Sequence, residues 1–170
     1  MTRLKIAACL TALWFSTPVQ ADVERCMVGT WIADMRDIAD MMAAQMQGSA
    51  VPVNGEVSMQ IQAGGAFTLL ADNMTINVII PDTPAMAVQV NGYSAGNFDA
   101  ADNVFTASVH DYSLVGAADV MGQRMELPFT AATGIGGGGI GWFECAGNSL
   151  RFEATGGVGA NRMPRLWRRR

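Results

Sequence analysis

The chain has 170 residues, half of them hydrophobic, with a formal net charge of −4. That length suits one domain with a real core and hardly two. Fifteen acidic residues argue against nucleic acid as the main partner, and a single histidine, His110, makes a histidine-built metal cluster impossible.

Arg3 and Lys5 precede an apolar run from Ile6 to Phe15, and Val19-Gln20-Ala21 supplies a small-residue exit. Residues 1–21 therefore read as a secretory signal peptide cleaved after Ala21. The run is too short to span a bilayer as a relaxed helix. Cys9 leaves with the leader, so Cys26 and Cys145 remain as an even pair in an oxidising compartment and are expected to form a disulfide. A bridge across so large a loop stabilises by at most roughly 5 kcal/mol in the chain-entropy account. Removing Arg3 and Lys5 leaves nine arginines against the fifteen acids. Five of them, Arg162, Arg165, Arg168, Arg169 and Arg170, crowd the last nine positions. Residues 22–161 are accordingly expected to form the domain and 162–170 a basic C-terminal tail. That tail is either free in solvent or docked on the acidic body or on an anionic envelope surface.

Cys26 to Ile32 is a short apolar run that reads as a first strand. Asp34 caps a helix with Asp37 in its first turn; Met35, Ile38, Met42 and Met46 recur near helical spacing, and Gly48 and Pro52 end it. From Glu56 the period changes to two. Val57, Met59 and Ile61 lead to a turn at Gly64-Gly65, and Phe67 and Leu69 to a turn at Asp72-Asn73. Met74, Ile76 and Val78 alternate next, then Met86, Val88 and Val90, ending near Gly92. A polar turn over Asp99–Asn103 precedes Phe105, Ala107 and Val109. A further strand runs through Met121, Gln123, Met125 and Leu127. Gly134–Gly139 reads as a flexible loop, and Ile140–Cys145 with Leu150, Phe152 and Ala154 form a closing hairpin about Gly147-Asn148. That turn sets Glu144 opposite Arg151. Short strands at this spacing predict an all-β fold, an antiparallel sandwich or barrel of eight to ten strands with one short helix after the first.

Gly29-Thr30-Trp31 resembles the G-x-W signature of lipocalins and other calycins. Trp142-Phe143-Glu144-Cys145-Ala146-Gly147-Asn148-Ser149-Leu150 resembles the closing hairpin of small bacterial periplasmic lipocalin-like proteins. The likeness touches both ends of the domain and leaves the middle unmatched. It implies a closed up-and-down barrel in a periplasmic or secreted protein of a Gram-negative bacterium, with the early cysteine paired to the late one. It also implies a barrel base of Gly29 and Trp31, with an arginine, Arg151 or Arg162, across the indole. An avidin-like biotin site needs tryptophans along the later strands. Only Trp31, Trp142 and Trp167 follow the leader, and biotin is rejected.

Two functional readings follow. In the first, the protein is a non-enzymatic lipocalin-like binder. Met35, Ile38, Met42 and Met46 cap the barrel and adapt to a small apolar or amphipathic molecule inside it. In the second, it is an envelope interaction or structural protein with a filled barrel, whose protein or lipid partner binds outside. No catalytic constellation is evident: His110 and Asp111 are sequence neighbours that point to opposite faces of a strand, and no nucleophile elbow exists. The glycine run lacks the ending of a phosphate loop. No cofactor is expected, and the protein is expected to be a monomer.

Overall fold

The computed structural model describes residues 23–127, 129–155 and 162–170. The expected leader, 1–21, lies outside them, as does the side chain of Met46. Ten strands and one helix follow in the order β1 (Gly29–Ala33), α1 (Met35–Met46), β2 (Ser49–Ile61), β3 (Ala66–Ile79), β4 (Met86–Ala101), β5 (Val104–Tyr112), β6 (Val115–Val120), β7 (Gln123–Leu127), β8 (Gly139–Ala146), β9 (Ser149–Ala154) and β10 (Leu166–Arg169). Eight of them, β1, β2, β3, β4, β5, β8, β9 and β10, close into an antiparallel barrel. The remaining two, β6 and β7, extend the sheet at one end. Ala87–Asn91 of β4 pair with β6, while Ser94–Ala101 pair with β5, so β5 and β6 lie end to end along one long neighbour.

Alternation decides which way each strand faces. Met59, Leu69, Phe98 and Phe105 point inward and are buried, whereas Gln60, Thr68, Asn97 and Thr106 point outward and are exposed. At these positions the apolar side chains face inward and the polar ones outward, the reverse of the pattern in a transmembrane barrel. No helix among the described residues is long and apolar enough to cross a membrane.

Several elements differ from the sequence reading in instructive ways. Asp72-Asn73 does not turn the chain. β3 runs straight through it with a bulge, where Asn73, at φ 48°, donates its backbone N–H to the side-chain oxygen of Asn91. β4 likewise passes Gly92 without ending. β2 begins at Ser49 and carries Pro52 inside it, which is tolerable because β1 reaches only Ser58–Ile61 and leaves that stretch without a strand on its other side. Residues 162–170 are not a tail. Leu166–Arg169 form the strand that seals the barrel between β9 and β1, with Trp167 burying its ring in the core between outward-facing Leu166 and Arg168.

The Cys26–Cys145 disulfide, with Cα atoms 6.1 Å apart and 119 residues between them in sequence, ties the segment before β1 to the end of β8. This is the lower end of the barrel, where the chain enters at Val23 beside Ala100.

Candidate functional site

At the upper end the barrel mouth is covered by three pieces. The first is α1. Asp34 caps it, accepting hydrogen bonds from the N–H groups of Arg36 and Asp37 at 2.8 and 3.4 Å, and Gln47 in the left-handed region ends it. Its buried stripe is Ile38, Ala39 and Met42. The second is the glycine-rich segment 134–139, and the third is the stretch from Arg162 to Arg165 leading into β10. The last two hold each other: Gly136 N–H donates to the Arg162 carbonyl at 2.7 Å, and Arg162 N–H to that of Gly138 at 3.3 Å.

Far from being a flexible loop, the glycine segment is a plug. Ile135 joins the core. Ser94, fully buried, donates to the Gly136 carbonyl at 2.6 Å, and the Tyr112 hydroxyl donates to the Ile135 carbonyl at 3.0 Å. A Cβ on Gly134 would lie 1.9 Å from that same Tyr112 oxygen, so only the bare backbone fits there. Burial pushes the Tyr112 phenol up to about 12, against a partial pull downward from the Arg162 charge.

Asp37 joins the helix to the third piece. Its buried carboxylate accepts from the backbone N–H groups of Arg165 and Leu166 and from the Arg165 guanidinium, whose Nη2 lies 2.7 Å away. Sequence reading placed Asp37 in the first turn for its dipole interaction alone. The second role depends on a residue that only the fold brings near.

Beneath these pieces the interior is occupied. Phe98 stacks nearly parallel on Phe152 at 5.7 Å between centroids and touches Phe67 and Phe105 at 4.7 and 6.1 Å in tilted geometry. Phe98, Phe105, Phe152, Met59, Leu69, Met74 and Ile76 have 0% exposure. Side chains lining a ligand-sized cavity would have surface that water could reach, and these have none.

Of the four helix residues proposed to contact a ligand, the three with described side chains are placed differently from one another. Ile38 and Met42 are buried in the core, with no water-sized void beside Ile38, and Met35 is half-buried. At the base, the Trp31 indole N–H donates to the Met27 carbonyl at 2.7 Å. The arginine over the ring is neither Arg151 nor Arg162. Arg169, the neighbour of Trp31 across the β1–β10 ladder, lies 4.3 Å from the ring centroid and donates to the carbonyls of Val28 and Cys26. A Cβ on Gly29 would fall 2.5 Å from its Nη1. Arg151 instead lies on the outer wall, opposite Glu144 in register as expected but ion-paired at 2.6 Å with Glu153, and Arg162 lies at the mouth. His110 is exposed.

Three grooves among the described residues, of about 350, 300 and 410 Å³, lie on the exterior: on either side of β10 and where Val23–Arg25 meet Ala100–Asp102. The outer wall also carries an apolar patch. Val104 and Trp142 are direct cross-strand partners, Ile140 precedes Trp142 by two residues on the same face, and Trp142 is 53% exposed.

Comparison with family models, with curated proteins and with solved structures finds no match for this chain. The closed antiparallel barrel with one helix after the first strand is consistent with a calycin-like fold.

Proposed function

We propose that this protein acts through its exterior: a non-enzymatic, exported interaction protein of the cell envelope, whose filled barrel is a rigid scaffold for a protein partner. The occupied interior carries this reading. The core that a lipocalin-like binder leaves open is here taken up by the four phenylalanines, while Ile135 and Ile38 close it from above. Export is supported by the leader-like residues 1–21 and by a disulfide of the kind that persists in oxidising compartments. The surface best suited to a protein partner is the Val104–Ile140–Trp142 patch, because exposed tryptophan in an apolar setting is the residue most enriched at the energetic centres of interfaces. Glu153, beside Trp142 on β9, supplies a polar rim.

Native mass spectrometry of the protein purified from its own host tests the proposal. The expected spectrum shows the mature chain without a small-molecule adduct. A lipid or metabolite retained at one equivalent, and lost on unfolding, would return the protein to the ligand-binding reading.

A further inference from the structure

Among the described residues, β7 is the one strand with a neighbour on a single side along its whole length; every other strand is paired on both sides over at least part of its length. Its residues Gln123, Arg124, Met125 and Glu126 are all exposed, Met125 at 49%. A bare edge offers a row of backbone donors and acceptors to another strand.

Which groups it offers follows from the turn before it. Met121 and Gly122, at φ 51° and 80°, make a two-residue loop with both central residues in the left-handed region, the hairpin turn whose flanking pair exchanges both backbone hydrogen bonds. That pair is Val120 and Gln123. Inward and outward backbone groups alternate along an antiparallel strand. The N–H and C=O of Gln123, Met125 and Leu127 are thus engaged with β6, and those of Arg124 and Glu126 point away from the hairpin.

We infer that two copies of this chain join edge to edge through β7, antiparallel and in two-fold register about Met125. This register faces Arg124 of each copy with Glu126 of the other, so all four outward-pointing residues form hydrogen-bonded pairs. It also sets opposite charges across both pairs, continuing the row that Asp119 begins opposite Arg124 on β6. Registers centred on Arg124 or on Glu126 set like charges face to face, which is destabilising. Alternating charge is a common guard on an exposed edge; here the same charges reject the neighbouring registers and admit one. The two-fold pairing consumes both edges, so assembly stops at the dimer. The proposal departs from the monomer expected from sequence and needs nothing from the Trp142 patch.

Sedimentation of the full chain with its disulfide intact is the test. Wild type is expected to dimerise reversibly. Arg124→Glu and Glu126→Arg are each expected to raise the dissociation constant about tenfold or more, by replacing attraction with repulsion in both pairs. The double variant R124E/E126R, which exchanges the charges, is expected to return to within about threefold of wild type. The central pair is not hydrogen-bonded, and its Cα atoms are expected about 4.5 Å apart, within disulfide reach. Met125→Cys is therefore expected to crosslink on oxidation at least about tenfold faster than Gln123→Cys, whose counterpart is Leu127. Sedimentation as a monomer up to about 1 mM, a dimer indifferent to the charge variants, or equal crosslinking at the two positions would each overturn the inference.

Discussion

Asp37 in the first turn of the helix and Arg165 just ahead of the last strand are 128 residues apart in sequence, and they meet in one clamp. The carboxylate is 2% exposed and the guanidinium 59%, so the anion is the costly partner to bury and the backbone N–H groups of Arg165 and Leu166 complete its solvation. The clamp links the piece that covers the mouth to the strand that seals the wall. Asp37→Ala strands two backbone donors while its former partner Arg165 remains hydrated. The expected loss is about 3 kcal/mol, read from the urea midpoint. Arg165→Ala leaves the carboxylate its backbone donors and should cost less.

Phe98 stands where three other rings converge. Phe98→Ala is expected to lower stability by about 3–5 kcal/mol through lost burial and the void left behind. The void should stay dry and accept a small aromatic. Calorimetric titration is expected to detect benzene binding to the variant and none to wild type; binding to wild type would show an interior already open.

Replacing both Cys26 and Cys145 with serine should retain the fold and cost about 2–5 kcal/mol, chiefly by freeing the unfolded chain. Circular dichroism and the urea midpoint, measured together, separate the two effects.

Alkali should act through Tyr112. Its phenol is raised from 10.0 to about 12, first by burial. The folded protein therefore keeps a proton that the unfolded chain releases near pH 10. The associated stability is fully present below pH 10 and is lost as pH climbs toward about 12. The second tyrosine, Tyr93, is also raised, by its hydrogen bond to the Asp111 carboxylate. Titration of tyrosinate absorbance in the folded protein is expected to begin above the onset seen in urea; coincident onsets would contradict the buried, neutral Tyr112.

Arg169→Leu removes the cation from the Trp31 ring and the donors from two carbonyls at the base. The expected cost is about 2 kcal/mol, with a change in tryptophan emission. Arg151→Leu, on the outer wall, should change stability by about 1 kcal/mol or less.

Much of this architecture was legible from residue order, because a strand half in water and half in a core must alternate. Val57, Met59 and Ile61, and likewise Met74, Ile76 and Val78, announce their inward faces, and Asp34 announces the helix. The disulfide followed from reading residues 1–21 as a leader, which leaves two cysteines to pair. Local signals failed where a bulge and a turn use the same residues: Asp72-Asn73 reads as a reversal, and only the continuous pairing of β3 with β4 shows otherwise.

By itself the sequence determined the all-β class, the inward side chains, the helix after the first strand and the cysteine pair, since each depends on spacing along the chain or on simple counting. Tertiary structure alone decided that the arginine-rich end is a wall of the barrel, that Arg169 covers Trp31, that Asp37 holds Arg165 and that the glycine run fills the mouth. Those outcomes depend on distances between residues far apart in sequence, which ring closure sets and no local pattern encodes.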